Sequence, residues 1–277
     1  MLRFLPTNQI WRYWSFATFC HDVSAVGALD VDLWLCNNHV NIDAWDVYNL
    51  DEVASSCSES GLRVRTLTPE QSNPKAYNLA SLDRATQRLT LGYYRNIVKL
   101  GQVLGTKRIS INGGWTPLDS DRQKAREALV LAVRRICDMA ADAGMTVSIE
   151  PLVRRPYRLV SSLEDVAGIV DEVGRTSLTV TLDTGTIVRN GESLAAWLDA
   201  FGSDIGYVHL TNLNPCDPAH VGWGDQAGSL NPVEILKQLK AGGYSGDCAL
   251  EMTKSSYFEH PYAVLTSSLT TLKGREY

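Results

Sequence analysis

The sequence lacks the features of several large protein classes. Its 26 lysine and arginine residues are outnumbered by 31 aspartate and glutamate residues, and the net charge of -5 argues against a surface for nucleic acid. No apolar run approaches the roughly 20 residues of a membrane-spanning helix. Asn8, Gln9 and Arg12 interrupt the aromatic N-terminal segment, so it does not form the apolar stretch of a signal peptide. We therefore expect a cytoplasmic protein that binds neither nucleic acid nor a membrane.

Two further absences limit the cofactors that the chain can use. The six cysteines contain no Cys-x-x-Cys pair, which argues against a disulfide framework or a thiolate zinc site. We expect these thiols to be reduced and mostly buried. No glycine-rich dinucleotide fingerprint follows a predicted strand, so a nicotinamide cofactor has no support in the sequence.

Short apolar runs alternate with helical patterns along the chain. The predicted strands are Phe16–Cys20, Val31–Cys36, Leu62–Thr66, Arg108–Asn112, Met145–Glu150, Leu178–Asp183, Ile205–Leu210 and Asp247–Met252. The clearest helical pattern has apolar residues at steps of three and four from Leu129 to Ala140 and ends at Gly144. The segment after the first predicted strand is short for a helix. Eight β-α units without a linker predict one α/β domain over residues 1–277, a single (β/α)8 TIM barrel.

Four chemically active side chains fall at the ends of consecutive predicted strands. Catalytic groups in a β/α barrel lie at the carboxyl ends of the strands, and these positions hold Glu150, Asp183, His209 and Glu251. Taken singly, Asp183 is typical of a turn or a helix cap, and His209 of a buried hydrogen-bonded group. Together, three carboxylates at one barrel mouth would repel one another without a cation. This oxygen-rich set favours Mn²⁺, Mg²⁺ or Co²⁺.

Several segments resemble one known superfamily. SIEPL, TLDTG, YVHLTN and GGYSGDCALEM are similar to the metal-bearing strands of the xylose-isomerase-like barrels, the sugar phosphate isomerase and epimerase superfamily. FATFCH is similar to the first strand of the ketose 3-epimerases, and TPEQSNPKAYNLAS, from Thr68 to Ser81, is similar to the loop after their third strand. Within the superfamily the chain most resembles fructoselysine 3-epimerase-like and ketose 3-epimerase proteins.

The resemblance implies a divalent-metal-dependent sugar epimerase or isomerase. Its substrate would be a ketose or a modified keto-sugar with a glycosyl or amine-linked group, and Mn²⁺ would be favoured over Mg²⁺ and Co²⁺. Glu150, Asp183, His209 and Glu251 would bind the metal, which would stabilise an enediolate. Glu150 and Glu251 would also be the two catalytic bases on opposite faces of the substrate carbon. The family further implies a homo-oligomer, either a dimer or a tetramer, or a hetero-complex with a small subunit.

Five further residues are expected to contact the substrate: His21, Trp115, Arg155, Thr186 and His220. Alternatives stay open for three of them, since His21 could cap a helix, Trp115 could belong to ordinary packing, and Arg155 could be a solvated loop charge. Thr186 and Pro156 stand where many family members carry a histidine and a glutamate. This difference argues against a typical free hexose and for a modified or glycosylated sugar.

Three alternative functions fit the same residues less well. An apurinic endonuclease would need further metal ligands, and Thr186 stands where one of its histidines is expected. A lyase, such as a keto-inositol dehydratase or the metal-bearing subunit of an enzyme that cleaves C-glycosides, would use the same enolisation to expel a leaving group. A non-catalytic sugar-binding barrel would not need both Glu150 and Glu251.

Overall fold

Eight parallel strands arranged around one axis form the centre of the computed structural model, which describes residues 2–70 and 74–273. In chain order the strands of the structure are β1 (Arg3–Pro6), β2 (Asp30–Leu35), β3 (Arg63–Pro69), β4 (Arg108–Asn112), β5 (Thr146–Glu150), β6 (Leu178–Asp183), β7 (Ile205–His209), β8 (Asn212–Asn214), β9 (Asp217–Val221) and β10 (Asp247–Leu250). All except β8 and β9 belong to one sheet of order β1-β10-β7-β6-β5-β4-β3-β2, and a parallel bridge between Thr7 and Asp32 joins its edges. The strands β8 and β9 form an antiparallel hairpin after β7.

Helices follow each strand of the barrel sheet. They are α1 (Phe16–Ala25), α2 (Leu50–Glu59), α3 (Arg84–Leu104), α4 (Arg122–Asp142), α5 (Leu163–Val173), α6 (Thr184–Arg189), α7 (Leu194–Phe201), α8 (Pro232–Ala241) and α9 (Pro261–Lys273). The predicted (β/α)8 TIM barrel is confirmed, and the fourth and sixth predicted strands coincide with β4 and β6. Of the predicted loop from Thr68 to Ser81, residues 71–73 lie outside the described residues, and its first two residues belong to β3.

The prediction of a first strand at Phe16–Cys20 is wrong, because these residues begin helix α1. Ser15 caps this helix, since its hydroxyl oxygen accepts a hydrogen bond from the backbone N–H of Thr18 at 3.1 Å. The buried face of α1 follows helical spacing and consists of Phe16, Phe19, Cys20 and Val23. A short apolar run fits a buried strand and one face of a helix equally well. The first strand of the barrel is β1, so the number of barrel strands stays at eight.

The interior of the barrel is polar beneath the ends of the strands. Side chains two residues apart on a strand point to the same face, so each strand-end residue has a neighbour one layer lower. These neighbours are Ser148 below Glu150, Thr181 below Asp183, and Tyr207 below His209. The Thr181 hydroxyl donates to the Ser148 hydroxyl at 2.7 Å. TIM barrels usually fill this region with branched apolar side chains, so the polar layer distinguishes this end of the barrel.

Asp247 ties strands together at the opposite, amino-terminal end of the barrel. Its side chain is 3% exposed and accepts hydrogen bonds from Nε of Arg3 at 2.7 Å and from Nη1 of Arg108 at 3.2 Å. Nε of Arg65 lies 3.8 Å from the same carboxylate. The three arginines belong to β1, β4 and β3, so one buried carboxylate on β10 connects four strands.

The cysteine thiols and the lengths of the helices bear on two expectations drawn from the sequence. All six cysteines are free thiols and five of them are buried, as predicted. Across residues 2–70 and 74–273, no helix combines the length and the apolar character that crossing a membrane requires.

The variant Asp247→Asn should destabilise the fold by roughly 3 kcal/mol, because it leaves the mostly buried guanidinium of Arg108 without its carboxylate partner. Urea unfolding measures the difference. The control is Asp138→Asn, which removes an exposed ion pair with Arg175 of the same N–O distance, 2.7 Å, and should have a much smaller effect. Equal losses of stability in the two variants would contradict the structural role of Asp247.

Candidate active site

Four strands of the barrel bring three carboxylates and one imidazole to one point. Glu150 ends β5, Asp183 ends β6, His209 ends β7, and Glu251 directly follows β10. Asp183 and His209 are also paired neighbours in the register of β6 and β7. One ligand atom from each of the four residues lies within 4.8 Å of all the others. The sequence placed these residues together and the structure agrees, while their binding of a metal stays a prediction.

The imidazole of His209 lies between the two glutamates of this cluster. Its Nδ1 is 2.7 Å from Oε2 of Glu150 and 3.3 Å from Oε2 of Glu251. Neither ring nitrogen, however, makes a hydrogen bond of acceptable geometry with a residue that the structure describes. Burial lowers the pKa of His209, but the two glutamates outweigh burial and raise this pKa well above its ordinary value. The same negative field would favour a cation at this point.

Asp183 combines a helix cap with a carboxylate oxygen that faces the cluster. Its Oδ1 accepts hydrogen bonds from the backbone N–H of Thr186 at 2.7 Å and from the hydroxyl of Thr211 at 2.6 Å. Asp183 therefore caps the short helix α6. Its Oδ2 takes part in neither bond and stays available as a ligand. The two interpretations of Asp183, as a cap and as a ligand, are compatible.

Glu251 is held by Gln9, a residue that the sequence analysis missed. Gln9 lies in the 3-10 helix Gln9–Trp11 after β1 and donates from Nε2 to Oε1 of Glu251 at 2.7 Å. Burial at Glu251 is outweighed by the nearby imidazole of His209 and by the bond from Gln9, which lower the pKa of Glu251 to about 2. Burial raises the pKa of Glu150. The two glutamates therefore lie in different environments.

The donor set fits a hard divalent cation. Each of the three carboxylates offers one oxygen to the cluster, and the buried Nδ1 of His209 lacks a hydrogen-bond partner among the described residues. No thiolate takes part. Oxygen-rich sites with one imidazole are typical of Mn²⁺ and related ions rather than of thiolate-bound zinc.

The β8–β9 hairpin brings His220 to the edge of the cluster. His220 lies on β9, and its imidazole contributes to the low pKa of Glu251. A Cβ atom on Gly185 would lie 3.5 Å from Nδ1 of His220 and 2.7 Å from Oγ1 of Thr211. Glycine at this position therefore lets the hairpin approach the first turn of α6. Thr186, in the same turn, is buried.

Trp115 lies in the loop that follows β4, at the same end of the barrel as the cluster. Asn78, from the loop after β3, donates to the carbonyl of Trp115 at 2.8 Å and accepts from its backbone N–H at 3.1 Å. The indole N–H is buried and has no hydrogen-bond partner within the described part of the chain. The two bonds with Asn78 thus fix the backbone of Trp115 beside the loop after β3.

Two predicted contact residues lie farther out. Arg155 is exposed in the loop after β5. His21 lies on α1, its side chain is 82% exposed, and its Nδ1 is 3.3 Å from Oδ1 of Asp22. The strand that was expected to end at His21 is helix α1 instead. The substrate contact of His21 stays a prediction.

Comparisons with known proteins identify the family of this fold. Residues 20–273 match the family described as Xylose isomerase-like TIM barrel, and the chain belongs to that family. The resemblance inferred from the strand motifs is thereby confirmed.

Three relatives show where in the family the similarity lies. A D-psicose 3-epimerase of Enterocloster bolteae is 25% identical over 251 residues, which cover 86% of this chain and 79% of the relative. The fructoselysine 3-epimerase of Escherichia coli O157:H7 is 18% identical over 240 residues, which cover 87% of this chain and 86% of the relative. The crystal structure of a D-allulose 3-epimerase from Methylomonas sp. in complex with D-allulose has a TM-score of 0.82 at 20% identity, covers 99% of this chain and 97% of its own, and shares the fold.

Mn²⁺ should raise the melting temperature of the metal-depleted protein, because an ion that binds only the folded chain stabilises it. With the ion about 100-fold above its Kd, we expect a rise of roughly 5 °C or more by calorimetry. The rise should vanish in Asp183→Asn, whose amide oxygen can still cap α6. The exposed variant His21→Gln should keep the full rise. Stabilisation that persists in Asp183→Asn would contradict the predicted site.

Proposed function

We propose that the chain is a divalent-metal-dependent epimerase or isomerase of a ketose or a modified keto-sugar, with Mn²⁺ as its ion. The observation that carries the proposal is the pair Glu150 and Glu251, whose carboxylates meet at one buried imidazole. The relatives named for 3-epimerisation of D-psicose and fructoselysine support the class of substrate.

The order of the strands supports an approach of the two glutamates from opposite sides. In the sheet, β5 and β10 flank the neighbouring strands β6 and β7. Glu150 and Glu251 therefore stand on either side of Asp183 and His209. A sugar bound between them would present one carbon to both carboxylates. One glutamate would take the proton from the carbon next to the carbonyl, and the other would return a proton to the opposite face, which inverts the centre.

The hydrogen bonds around the cluster leave particular carboxylate oxygens available to a cation. A cation held by Glu150, Asp183, His209 and Glu251 would polarise the sugar carbonyl and stabilise negative charge on its neighbouring oxygens. Gln9 occupies Oε1 of Glu251, so Oε2 is the oxygen directed to the cluster. The bonds from Thr186 and Thr211 likewise leave Oδ2 of Asp183 for the site.

The outer residues support a substrate with a substituent. Asn78 fixes the backbone of Trp115 at this end of the barrel, and the imidazole of His220 lies close enough to Glu251 to help lower its pKa. Arg155, exposed on the loop after β5, would reach a polar or anionic group away from the reacting carbon. Thr186 is smaller than a histidine and would leave room beside Asp183. These contacts favour a modified or glycosylated keto-sugar.

Solvent-deuterium exchange tests the proposal. The protein is incubated with Mn²⁺ in D₂O and a panel of ketoses, ketoamines and oxidised glycosides, and NMR detects deuterium at the carbon next to the carbonyl. Glu150→Gln and Glu251→Gln should each slow net conversion by at least about 100-fold, the usual contribution of a general base. Glu234→Gln, at an exposed position on α8, is the control and should keep the rate.

The Mn²⁺ content of each variant is measured as well, because both glutamates are also proposed ligands. A variant that keeps the ion and loses conversion identifies a base, whereas wild-type rates in both variants would contradict the proposal. An unsaturated product in place of a deuterated sugar would favour a lyase. Binding without exchange would favour a non-catalytic sugar-binding barrel.

A further inference from the structure

A further carboxylate, that of Asp32, lies inside the barrel close to His209. Its side chain is 1% exposed and belongs to β2, between the apolar residues Val31 and Leu33. A buried carboxylate is costly unless donors or positive charge compensate it. An aliphatic side chain would be the usual occupant of this part of a TIM barrel. The position of Asp32 therefore requires an explanation beyond packing.

Two hydroxyl groups hold the carboxylate of Asp32 in place. Oγ1 of Thr68 donates to it, at 2.7 Å from Oδ1 and 2.9 Å from Oδ2. The hydroxyl of Tyr207 donates to Oδ2 at 2.6 Å. Burial raises the pKa of Asp32, and the imidazole of His209 is the largest influence that opposes this rise. The same Oδ2 lies 4.0 Å from Nε2 of His209.

The two ring nitrogens of His209 have different neighbours. Nδ1 faces Glu150 and Glu251, whereas Nε2 faces Asp32. Neither nitrogen has a hydrogen bond with the residues that are described, although both are buried. A neutral imidazole carries its proton on only one nitrogen, so an ion bound at Nδ1 requires the proton on Nε2. That N–H would be buried and would need an acceptor.

We propose that Asp32 is a positioning residue that accepts a hydrogen bond from Nε2 of His209 and thereby fixes the tautomer that binds metal through Nδ1. This inference rests on the metal site of the proposed function and adds a residue outside it. The 4.0 Å separation has to shorten by about 1 Å to reach hydrogen-bond distance. Carboxylates that orient a metal-binding histidine in this way raise metal affinity without touching the ion.

Calorimetric titration of the metal-depleted protein with Mn²⁺ tests the inference. Asp32→Asn should weaken Mn²⁺ binding by about 10-fold or more, the usual effect of losing such an acceptor. The matched control is Thr181→Val, which removes another buried side-chain hydrogen bond, 2.7 Å to Ser148, in which Asp32 takes no part. It should change the affinity by less than about threefold, which is small beside the effect expected for a lost acceptor.

The outcomes separate this inference from the proposed function. Wild-type affinity in Asp32→Asn, or equal losses in both variants, would overturn the role of Asp32 and leave the metal site standing. A wild-type protein that binds no Mn²⁺ would overturn the metal site and the inference together.

Nitrogen-15 NMR of the wild-type chain supplies a measurement that needs no folded Asp32 variant. The chain has five histidines, and His209 is assigned through the signal that His209→Gln removes. In the Mg²⁺-loaded protein we expect the proton on Nε2 of His209, at the frequency of a hydrogen-bonded N–H. A proton on Nδ1 would overturn the inference.

Discussion

Electrostatic repulsion at the mouth of the barrel is the constraint on which the rest of the structure depends. Glu150, Asp183 and Glu251 place carboxylate oxygens within 4.8 Å of one another and of His209, largely out of contact with water. Such a group is stable only with positive charge among its members. Glu150 and Glu251 outweigh burial and raise the pKa of His209, and a divalent cation would balance their negative charge better than one proton. Neighbouring parallel strands end at the same edge of the sheet, so the carboxylates at their ends lie close together.

Polar residues inside the barrel connect the cluster at the carboxyl ends of the strands with Asp247 at the amino-terminal end. Asp247 at the base binds Arg108, whose guanidinium lies 4.5 Å from the ring of Tyr207. The hydroxyl of Tyr207 in turn holds Asp32, which faces His209. The strand β7 thus carries both His209, the proposed metal ligand, and Tyr207, which holds Asp32 in place. In the proposed arrangement these residues would hold one imidazole in one orientation, as the proposed proton transfer at a fixed carbon requires.

Much of the fold and the four central residues could be predicted, because both depend on local patterns. Strands such as Leu178–Asp183 are apolar runs with clear ends, and a charged residue at the end of a barrel strand is a strong indication of a site. The prediction of a first strand was wrong because Phe16–Cys20 is too short to distinguish a strand from one face of a helix, and the position of His21 changed with it. Gln9 left no pattern, because its contact joins residues from the two ends of the chain. Asp32 does stand out in the sequence as a carboxylate within an apolar strand. Its proposed role, however, depends on Tyr207 and His209, which are brought near it only when the barrel closes.

Anomalous diffraction from crystals soaked in Mn²⁺ tests the central claim most directly, because it locates the ion and its ligands at once. We expect one strong peak bound by Glu150, Asp183, Glu251 and Nδ1 of His209, with Nε2 directed at Asp32. A peak elsewhere, or a cluster that stays free of Mn²⁺ in crystals soaked well above the ion's Kd, would contradict it.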